Sequence, residues 1–363
     1  MTILIAGGGT GGHLMPALAI AEALRAESPE TRLVLVGATR GIEARLLPQR
    51  DLPYELLPFE PIYRRSWWKN ARWPLVLGRL LRDGARILDR ERPRVAVGTG
   101  GYAAGPILLQ AARRKIPVAL QEQNAYPGVT TRWLARKASE IYLGFPEART
   151  RLRTRRGTDV LDTGNPIVPP PSPPPAREDC RATLGLDRDR PAVLVMGGSQ
   201  GSRALNQVVA AAVDAGSLDG VALVWSVGQG QWERFGRFHA PPVRVVRPFI
   251  DPIADAYGAV DLVVARAGAM TTAELCAWGL PSILVPLPTA AADHQSRNAL
   301  ALEEHGAAVH LPERALTSES VVAAIRDLAA DRERLGRMGA AAAARSRPSA
   351  ARNIARRVLA LMS

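Results

Sequence analysis

The sequence is poor in cysteine, in lysine and in long apolar runs. Its two cysteines, Cys180 and Cys276, match no metal-binding or redox spacing, so we expect a reduced, cytoplasmic protein. No stretch approaches the roughly 18 consecutive apolar residues that a membrane-spanning helix needs, so none is expected. Met1 leads straight into an apolar segment without a basic leader, which predicts that the chain is not exported.

Positive charge is concentrated in the first half of the 363 residues. Residues 1–165 contain 26 Lys and Arg against 15 Asp and Glu, whereas residues 166–363 contain 21 against 19. Only three of these basic residues are lysine. A general preference for arginine explains which basic residue is used, but it does not explain why the excess of positive charge lies in the first half. The first half is therefore expected to meet an anionic partner: a nucleic acid, an acidic membrane surface or a phosphorylated substrate.

Short apolar segments alternate with amphipathic ones along both halves. In the first half we predict strands over 3–6, 33–36, 95–98, 118–120 and 141–143, and helices near 14–26, 74–90, 103–114 and 128–137. In the second half we predict strands over 193–196, 222–227, 243–246, 262–265 and 283–285, and a helix over 203–214. Strands that are apolar throughout are typical of a parallel sheet covered on both faces, so an α/β fold with doubly wound sheets is expected.

A proline-rich segment, NPIVPPPSPPPARED, separates the two halves. Residues 169–175 are proline except Ser172, and such a run joins neither helices nor sheets. We therefore predict an N-terminal domain (1–165), a linker (166–176) and a C-terminal domain (177–346) of the same architecture.

The first predicted strand runs into GGGTGG (residues 7–12) and then His13. Glycines at 7, 9 and 12 fit G-x-G-x-x-G, which lets a backbone approach an anion at a helix N-terminus. However, the second strand ends in VLVGAT without the carboxylate of a dinucleotide site, and His13 stands where a Walker A loop has lysine. A tight turn that holds no ligand stays an alternative.

His13 follows the last glycine of this loop. The helix dipole disfavours a protonated imidazole there, so we expect a neutral ring suited to general-base catalysis, with a capping or solvated histidine as the alternative. A second segment, GTGGYAAGP (residues 98–106), predicts another anion cradle, or else a plain turn. Two cradles on adjacent loops favour an extended diphosphate ligand.

The second half repeats this pattern after its first strand with GGSQGS, where Ser199 could bind phosphate. In ARAGAMTTAEL, Thr271 and Glu274 fit a capping box, and the alternative is that Glu274 binds both hydroxyls of a ribose. Gln295 suits sugar hydroxyls. His294 has no second ligand at metal-binding spacing, so no metal site is predicted.

These segments, together with QEQNAYPG, GNP, PFID and DHQSRNA, resemble in order and spacing the MurG family of bacterial N-acetylglucosaminyltransferases. The resemblance implies a GT-B fold, with two Rossmann-like domains facing a cleft and a C-terminal helix (347–363) packed back on the N-terminal domain. It implies transfer of N-acetylglucosamine from UDP-N-acetylglucosamine to the muramoyl 4-hydroxyl of undecaprenyl-pyrophosphoryl-MurNAc-pentapeptide, with inversion and without a cofactor.

The resemblance also implies site residues. His13 would be the catalytic base. The implied donor-binding residues are Thr10, Gly11, Gly12, Asn124, Ser199, Ile250, Ala269, Met270, Thr271, Thr272, Ala273, Glu274 and Gln295. The candidates for the acceptor diphosphate are Gly9, Gly100, Gly101, Tyr102 and Glu122. Two positions depart from the family: Val168 replaces an arginine after GNP, and Gln121 replaces a histidine, which argues against essential proton transfer there.

A segment rich in tryptophan and arginine, YRRSWWKNARWPLVLGRLLRDGAR (residues 63–86), predicts shallow docking on an anionic membrane. The predicted membrane patch consists of Arg64, Arg65, Trp67, Trp68, Lys69, Arg72 and Trp73. RNA binding is the rival, but no RNA-binding motif accompanies the segment, so nucleic acid is not expected as a partner. A core helix with a solvated basic face is the other alternative.

Three other functions share parts of this pattern. Diacylglycerol glycosyltransferases have many of the same loops, and UDP-N-acetylglucosamine 2-epimerases have the same architecture but need carboxylates around the sugar. A non-catalytic sugar-nucleotide or membrane adaptor is the third, and the combination of a donor half with the His13 half argues against it.

Overall fold

The computed structural model describes residues 1–59, 73–102, 104–198 and 200–362. The chain divides into two units, Met1–Val168 with Arg347–Ser363 and Pro169–Ser346. The junction between Val168 and Pro169 falls within the proline-rich segment.

The first unit contains a parallel sheet of seven strands among its described residues, in the order β3-β2-β1-β4-β5-β6-β7. The strands are β1 (Thr2–Gly7), β2 (Arg32–Ala38), β3 (Tyr54–Leu57), β4 (Val95–Gly100), β5 (Val118–Glu122), β6 (Glu140–Leu143) and β7 (Asp159–Leu161). The helices are α1 (Gly11–Glu27), α2 (Glu43–Leu46), α3 (Trp73–Glu91), α4 (Ala104–Arg113) and α5 (Val129–Leu134).

The second unit contains a parallel sheet of six strands among its described residues, in the order β10-β9-β8-β11-β12-β13. The strands are β8 (Ala192–Met196), β9 (Ala222–Ser226), β10 (Arg244–Arg247), β11 (Leu262–Ala265), β12 (Ser282–Leu284) and β13 (Ala308–His310). The helices are α6 (Arg177–Leu184), α7 (Arg203–Asp214), α8 (Trp232–Phe235), α9 (Ile253–Ala259), α10 (Ala269–Ala277), α11 (His294–Glu303), α12 (Ser318–Ala330) and α13 (Arg332–Ala344).

The central strands are buried on both faces, as their apolar sequences predict. Ile3, Leu4 and Ile5 of β1 are fully buried, and two apolar clusters cover opposite faces of the first sheet. In each sheet the strand order reverses beside the first strand of the unit, at β1 and β4 in one and at β8 and β11 in the other. Ligands of open α/β sheets bind at the carboxyl ends of strands at this switch point.

The last helix, α14 (Ala350–Ala360), belongs to the first unit, where it packs against α1. Its buried stripe is Ile354, Ala355 and Val358, which join the apolar cluster under β1 and α1. Arg357 adds ion pairs to Glu140 and to Asp159, with Nη2–Oδ2 3.0 Å to the latter.

Three edge strands were not predicted, namely β3, β7 and β13. Each has only three or four residues and carries polar side chains, so its apolar signal is weak. In the part of the chain that the structure describes, no helix is long and apolar enough to span a bilayer.

Candidate active site

His13 lies in the first turn of α1, directly after the loop from β1. Thr10 is the N-cap residue, in extended conformation. The Nδ1 atom of His13 lies 3.0 Å from the carbonyl oxygen of Thr99, at the end of β4. Because a carbonyl oxygen only accepts, this contact places a proton on Nδ1, so that the lone pair of the neutral ring is on Nε2. The imidazole is therefore oriented by the neighbouring strand.

A set of buried amides surrounds this contact. Gln123 donates from Nε2 to the Thr99 carbonyl at 2.7 Å, and its Oε1 lies 3.3 Å from His13 Nδ1. Gln121 donates to Asn165 Oδ1 at 3.0 Å, and Asn165 donates to the Gln123 carbonyl at 3.0 Å. These amides fix the Thr99 carbonyl and with it the ring of His13.

The hydroxyl of Thr99 anchors the backbone beneath the ring. It donates to the His13 carbonyl at 2.7 Å, and a Cβ on Gly7 would lie 1.9 Å from that hydroxyl oxygen. The first glycine of the loop is therefore required by packing against β4.

Gly100 and Gly101 bring the β4 loop against the β1 loop. Both have positive φ, and a Cβ would lie 2.7 Å from His13 Nδ1 at Gly100 and 2.0 Å from the Gly8 carbonyl at Gly101. Close approach of the two loops thus explains both glycines without a ligand. Tyr102, which follows them, is 45% exposed.

Two of the acceptor-diphosphate candidates are committed to other contacts. The N–H of Gly9 donates to Glu43 Oε1 at 2.7 Å, so it is not offered to an anion. Glu122 is buried, and its carboxylate accepts from the N–H of Asn124 at 3.1 Å and of Gly128 at 2.9 Å. A buried carboxylate would also repel a diphosphate, so we withdraw both residues as diphosphate ligands.

Asn124 lies beside Glu122 at the end of the same loop. It is 9% exposed, and its Nδ2 donates to Glu122 Oε1 at 3.2 Å. The carboxylate of Glu122 therefore holds the loop that carries Asn124, which is a positioning contact.

In the second unit, Ser202 and Arg266 hold the glycine loop after β8. Ser202 is the N-cap of α7 and accepts from Leu205 N at 3.3 Å. The buried Arg266 donates to Ser202 Oγ at 2.6 Å and to the carbonyls of Val285 and Pro286. Neither residue was predicted to have a role, although Arg266 is the second residue of ARAGAMTTAEL. Ser199 lies outside the described residues.

The capping-box interpretation of Thr271 and Glu274 is wrong. Helix α10 begins at Ala269 after the N-cap Gly268, so Thr271 lies inside the first turn. Glu274 instead accepts a hydrogen bond from the hydroxyl of Tyr257, at 2.8 Å. Burial raises the pKa of the Glu274 carboxyl, and the bond from Tyr257 partly offsets this. A partly buried carboxylate that accepts from a single donor among the described residues is suited to a ligand that brings further donors.

Four of the remaining predicted donor residues lie in α10 itself. Ala269, Met270 and Ala273 are partly exposed, whereas Thr272 is buried and its hydroxyl bonds the Gly268 carbonyl at 3.1 Å. Ile250 is buried in the loop after β10. Gln295 is the second residue of α11, and its Oε1 accepts from the N–H of Leu287 at 2.9 Å. Within the described residues, no group of three or more His, Cys, Asp or Glu side chains is placed to hold a metal ion.

Comparison with known proteins gives a family match for each half of the chain. Residues 3–143 match the glycosyltransferase family 28 N-terminal domain, and residues 192–354 match the family 28 C-terminal domain. A protein of Chlorobaculum parvum named UDP-N-acetylglucosamine–N-acetylmuramyl-(pentapeptide) pyrophosphoryl-undecaprenol N-acetylglucosamine transferase is 41% identical, over 99% of each chain. The protein of that name from Desulforudis audaxviator is also 41% identical, over 96% of this chain and 95% of its own.

Among solved structures, MurG of Acinetobacter baumannii is similar over 99% of both chains, with a TM-score of 0.78 and 28% identity. This similarity confirms the predicted GT-B fold. With close relatives along its full length and both family domains in place, the chain belongs to the MurG family of glycosyltransferases.

Proposed function

We propose that this protein transfers N-acetylglucosamine from UDP-N-acetylglucosamine to the muramoyl 4-hydroxyl of undecaprenyl-pyrophosphoryl-MurNAc-pentapeptide, with inversion at the anomeric carbon. The names of its relatives state the donor, UDP-N-acetylglucosamine, and the acceptor, N-acetylmuramyl-(pentapeptide) pyrophosphoryl-undecaprenol. The observation that carries the mechanism is the contact between His13 Nδ1 and the Thr99 carbonyl, because it leaves the lone pair on Nε2.

In this mechanism Nε2 of His13 takes the proton of the attacking hydroxyl. The hydroxyl oxygen then bonds to the anomeric carbon as the bond from that carbon to the UDP oxygen breaks, and UDP leaves with the electron pair. The Thr99 carbonyl stabilises the imidazolium that forms by accepting from Nδ1–H. Gly11 and Gly12 follow Thr10 at the start of α1, and a Cβ on Gly11 would meet nothing within 4 Å. We place the junction of donor and acceptor at these three residues.

The nucleotide is assigned to the second unit. The N-termini of α7 and α10 supply backbone N–H groups and a partial positive charge for the departing diphosphate, together with Ser199 from the sequence pattern. Glu274 accepts from the ribose hydroxyls, and the backbone of Ile250 reads the base. Gln295 and Asn124 contact the donor sugar. The proposal needs no metal ion.

The lipid-linked acceptor requires docking at the cytoplasmic face of the plasma membrane. Most of the predicted membrane patch, residues 64–72, lies outside the described residues, and Trp73 begins α3. Support comes from the exposed apolar side chains next to it, Leu75 and Leu77, which are 79% and 39% exposed. Exposed arginines follow on the same helix, at 79, 82 and 86. This combination favours an anionic bilayer surface as partner.

The test is to incubate the protein with radiolabelled UDP-N-acetylglucosamine and either undecaprenyl-pyrophosphoryl-MurNAc-pentapeptide or diacylglycerol. We expect label in the undecaprenyl-linked product only. Label in diacylglycerol would show a different acceptor, and release of free sugar without either lipid product would refute the transferase assignment.

A further inference from the structure

Glu43, the first residue of α2, lies fully buried beneath the loop that leads to His13. Its Oε1 accepts two backbone hydrogen bonds, from Gly9 N at 2.7 Å and from Ala38 N at 2.8 Å. One carboxylate oxygen therefore ties the loop after β1 to the end of β2. No cation is paired with Glu43 among the described residues, so these backbone bonds are its identified polar contacts there.

Three glycines leave space for this side chain. A Cβ would lie 2.2 Å from Glu43 Oε1 at Gly8, 2.6 Å from its Cγ at Gly37 and 2.2 Å from its Oε2 at Gly41. The second oxygen, Oε2, is buried without a hydrogen-bond partner among the described residues. The surroundings thus fit the shape of this side chain closely, and only one of its oxygens is used.

The same loop is held from its other side by β4. The Gly8 carbonyl packs against Gly101, and the carbonyl of His13 accepts from Thr99. Gly9 has φ +91°, a conformation that glycine adopts readily, and its N–H points to Glu43. The short backbone segment that leads to His13 is therefore held by Glu43 on one side and by the β4 segment on the other.

We propose that Glu43 is a positioning residue for the transfer reaction: by binding the Gly9 N–H it holds the glycine loop in the conformation that places His13. This inference rests on the proposed function. It assigns the loop at Gly9 to positioning and not to anion binding. The hydrogen-bond acceptor is what matters, so glutamine should substitute and an apolar side chain of similar size should not.

The test compares Glu43→Gln with Glu43→Leu, using Glu22→Gln on the exposed side of α1 as the control. We expect kcat to fall less than threefold in Glu43→Gln, about 30-fold or more in Glu43→Leu and not at all in the control. The KM for UDP-N-acetylglucosamine should change less than twofold in each, because the contacts to the nucleotide are assigned to the second unit. Values of kcat are taken per folded molecule, so a loss of stability alone does not move them.

Hydrogen–deuterium exchange gives a readout that does not depend on activity. Peptides that cover residues 3–14 should exchange faster in Glu43→Leu than in Glu43→Gln, whereas peptides that cover residues 203–214 should not change. If the leucine variant does not fold, Glu43→Asp, which draws the acceptor back from Gly9, takes its place. Wild-type kcat in the leucine or aspartate variant, equal losses in the glutamine and leucine variants, or unchanged exchange would each overturn the proposal. If the wild type transfers no sugar, the function fails, and the exchange comparison still decides whether Glu43 holds the loop.

Discussion

Replacing Glu274 by glutamine should stabilise the protein at neutral pH and weaken its binding of UDP. Glu274 is partly buried in α10, and burial raises the pKa of its carboxyl, with the Tyr257 hydroxyl opposing that rise. The ionised carboxylate is thus less favourable in the folded chain than in the unfolded one. Glutamine has the shape of the protonated acid and carries no charge at any pH.

The sign of the pH dependence follows from this raised pKa. A carboxyl whose folded-state pKa lies above its unfolded value stabilises the fold fully below the unfolded pKa, near 4.5 here, and loses that contribution as pH rises through the folded pKa. We therefore expect Glu274→Gln to be more stable than the wild type at pH 7.5. The difference should shrink towards zero near pH 4.

The binding effect follows from the hydrogen bonds to ribose. A hydrogen bond to a charged acceptor contributes about 1.5–3 kcal/mol, against about 0.5–1.5 kcal/mol for a neutral one. Losing about 1–2 kcal/mol over two ribose hydroxyls corresponds to roughly 5- to 30-fold weaker binding.

Urea unfolding at both pH values and calorimetric titration with UDP measure the two effects. Glu304→Gln, at an exposed position, serves as control and should change neither. Unchanged UDP affinity would refute the ribose contact. A variant less stable than the wild type at pH 7.5 would refute the argument from burial.

Other predictions concern the loops, the last helix, the membrane patch and metal ions. Gly101→Ala, whose Cβ would lie 2.0 Å from the Gly8 carbonyl, should lower kcat tenfold or more, whereas Gly157→Ala, with φ +84° and no neighbour within 4 Å, should leave it unchanged. Ile354→Ala should cost about 2–5 kcal/mol and lower the melting temperature of the first unit by on the order of 10 °C in calorimetry; a shift under 2 °C would contradict its core position. Leu75→Glu should weaken binding to anionic vesicles in flotation, and equal binding would argue against the patch. EDTA should leave the rate of sugar transfer unchanged. A loss of transfer activity in EDTA would contradict the proposal that no metal ion is needed.

The central elements of both sheets could be predicted because burial on both faces makes them apolar at every position. Residues 3–6, 95–98 and 262–265 are such strands, and each lies within an observed strand. The edge strand Asp159–Leu161 could not be predicted, because three residues with one apolar face are too few to show a periodic pattern.

The site could be predicted only where its residues follow a strand directly. His13 and the glycine loop satisfy this condition, so their place at the carboxyl end of β1 was foreseeable. Glu43 lies five residues beyond β2 and returns beneath another loop, and the bond from Tyr257 to Glu274 joins two separate helices. No local spacing encodes such contacts, which is why a capping box was a reasonable and wrong interpretation.

The proposed reaction depends most on His13 as the base, and the most direct test of this role is the turnover of His13→Asn with both substrates saturating. Asparagine can keep a donor towards the Thr99 carbonyl but cannot take a proton. We predict that kcat falls about 100-fold or more while calorimetric UDP affinity stays unchanged. Turnover close to that of the wild type would contradict the mechanism.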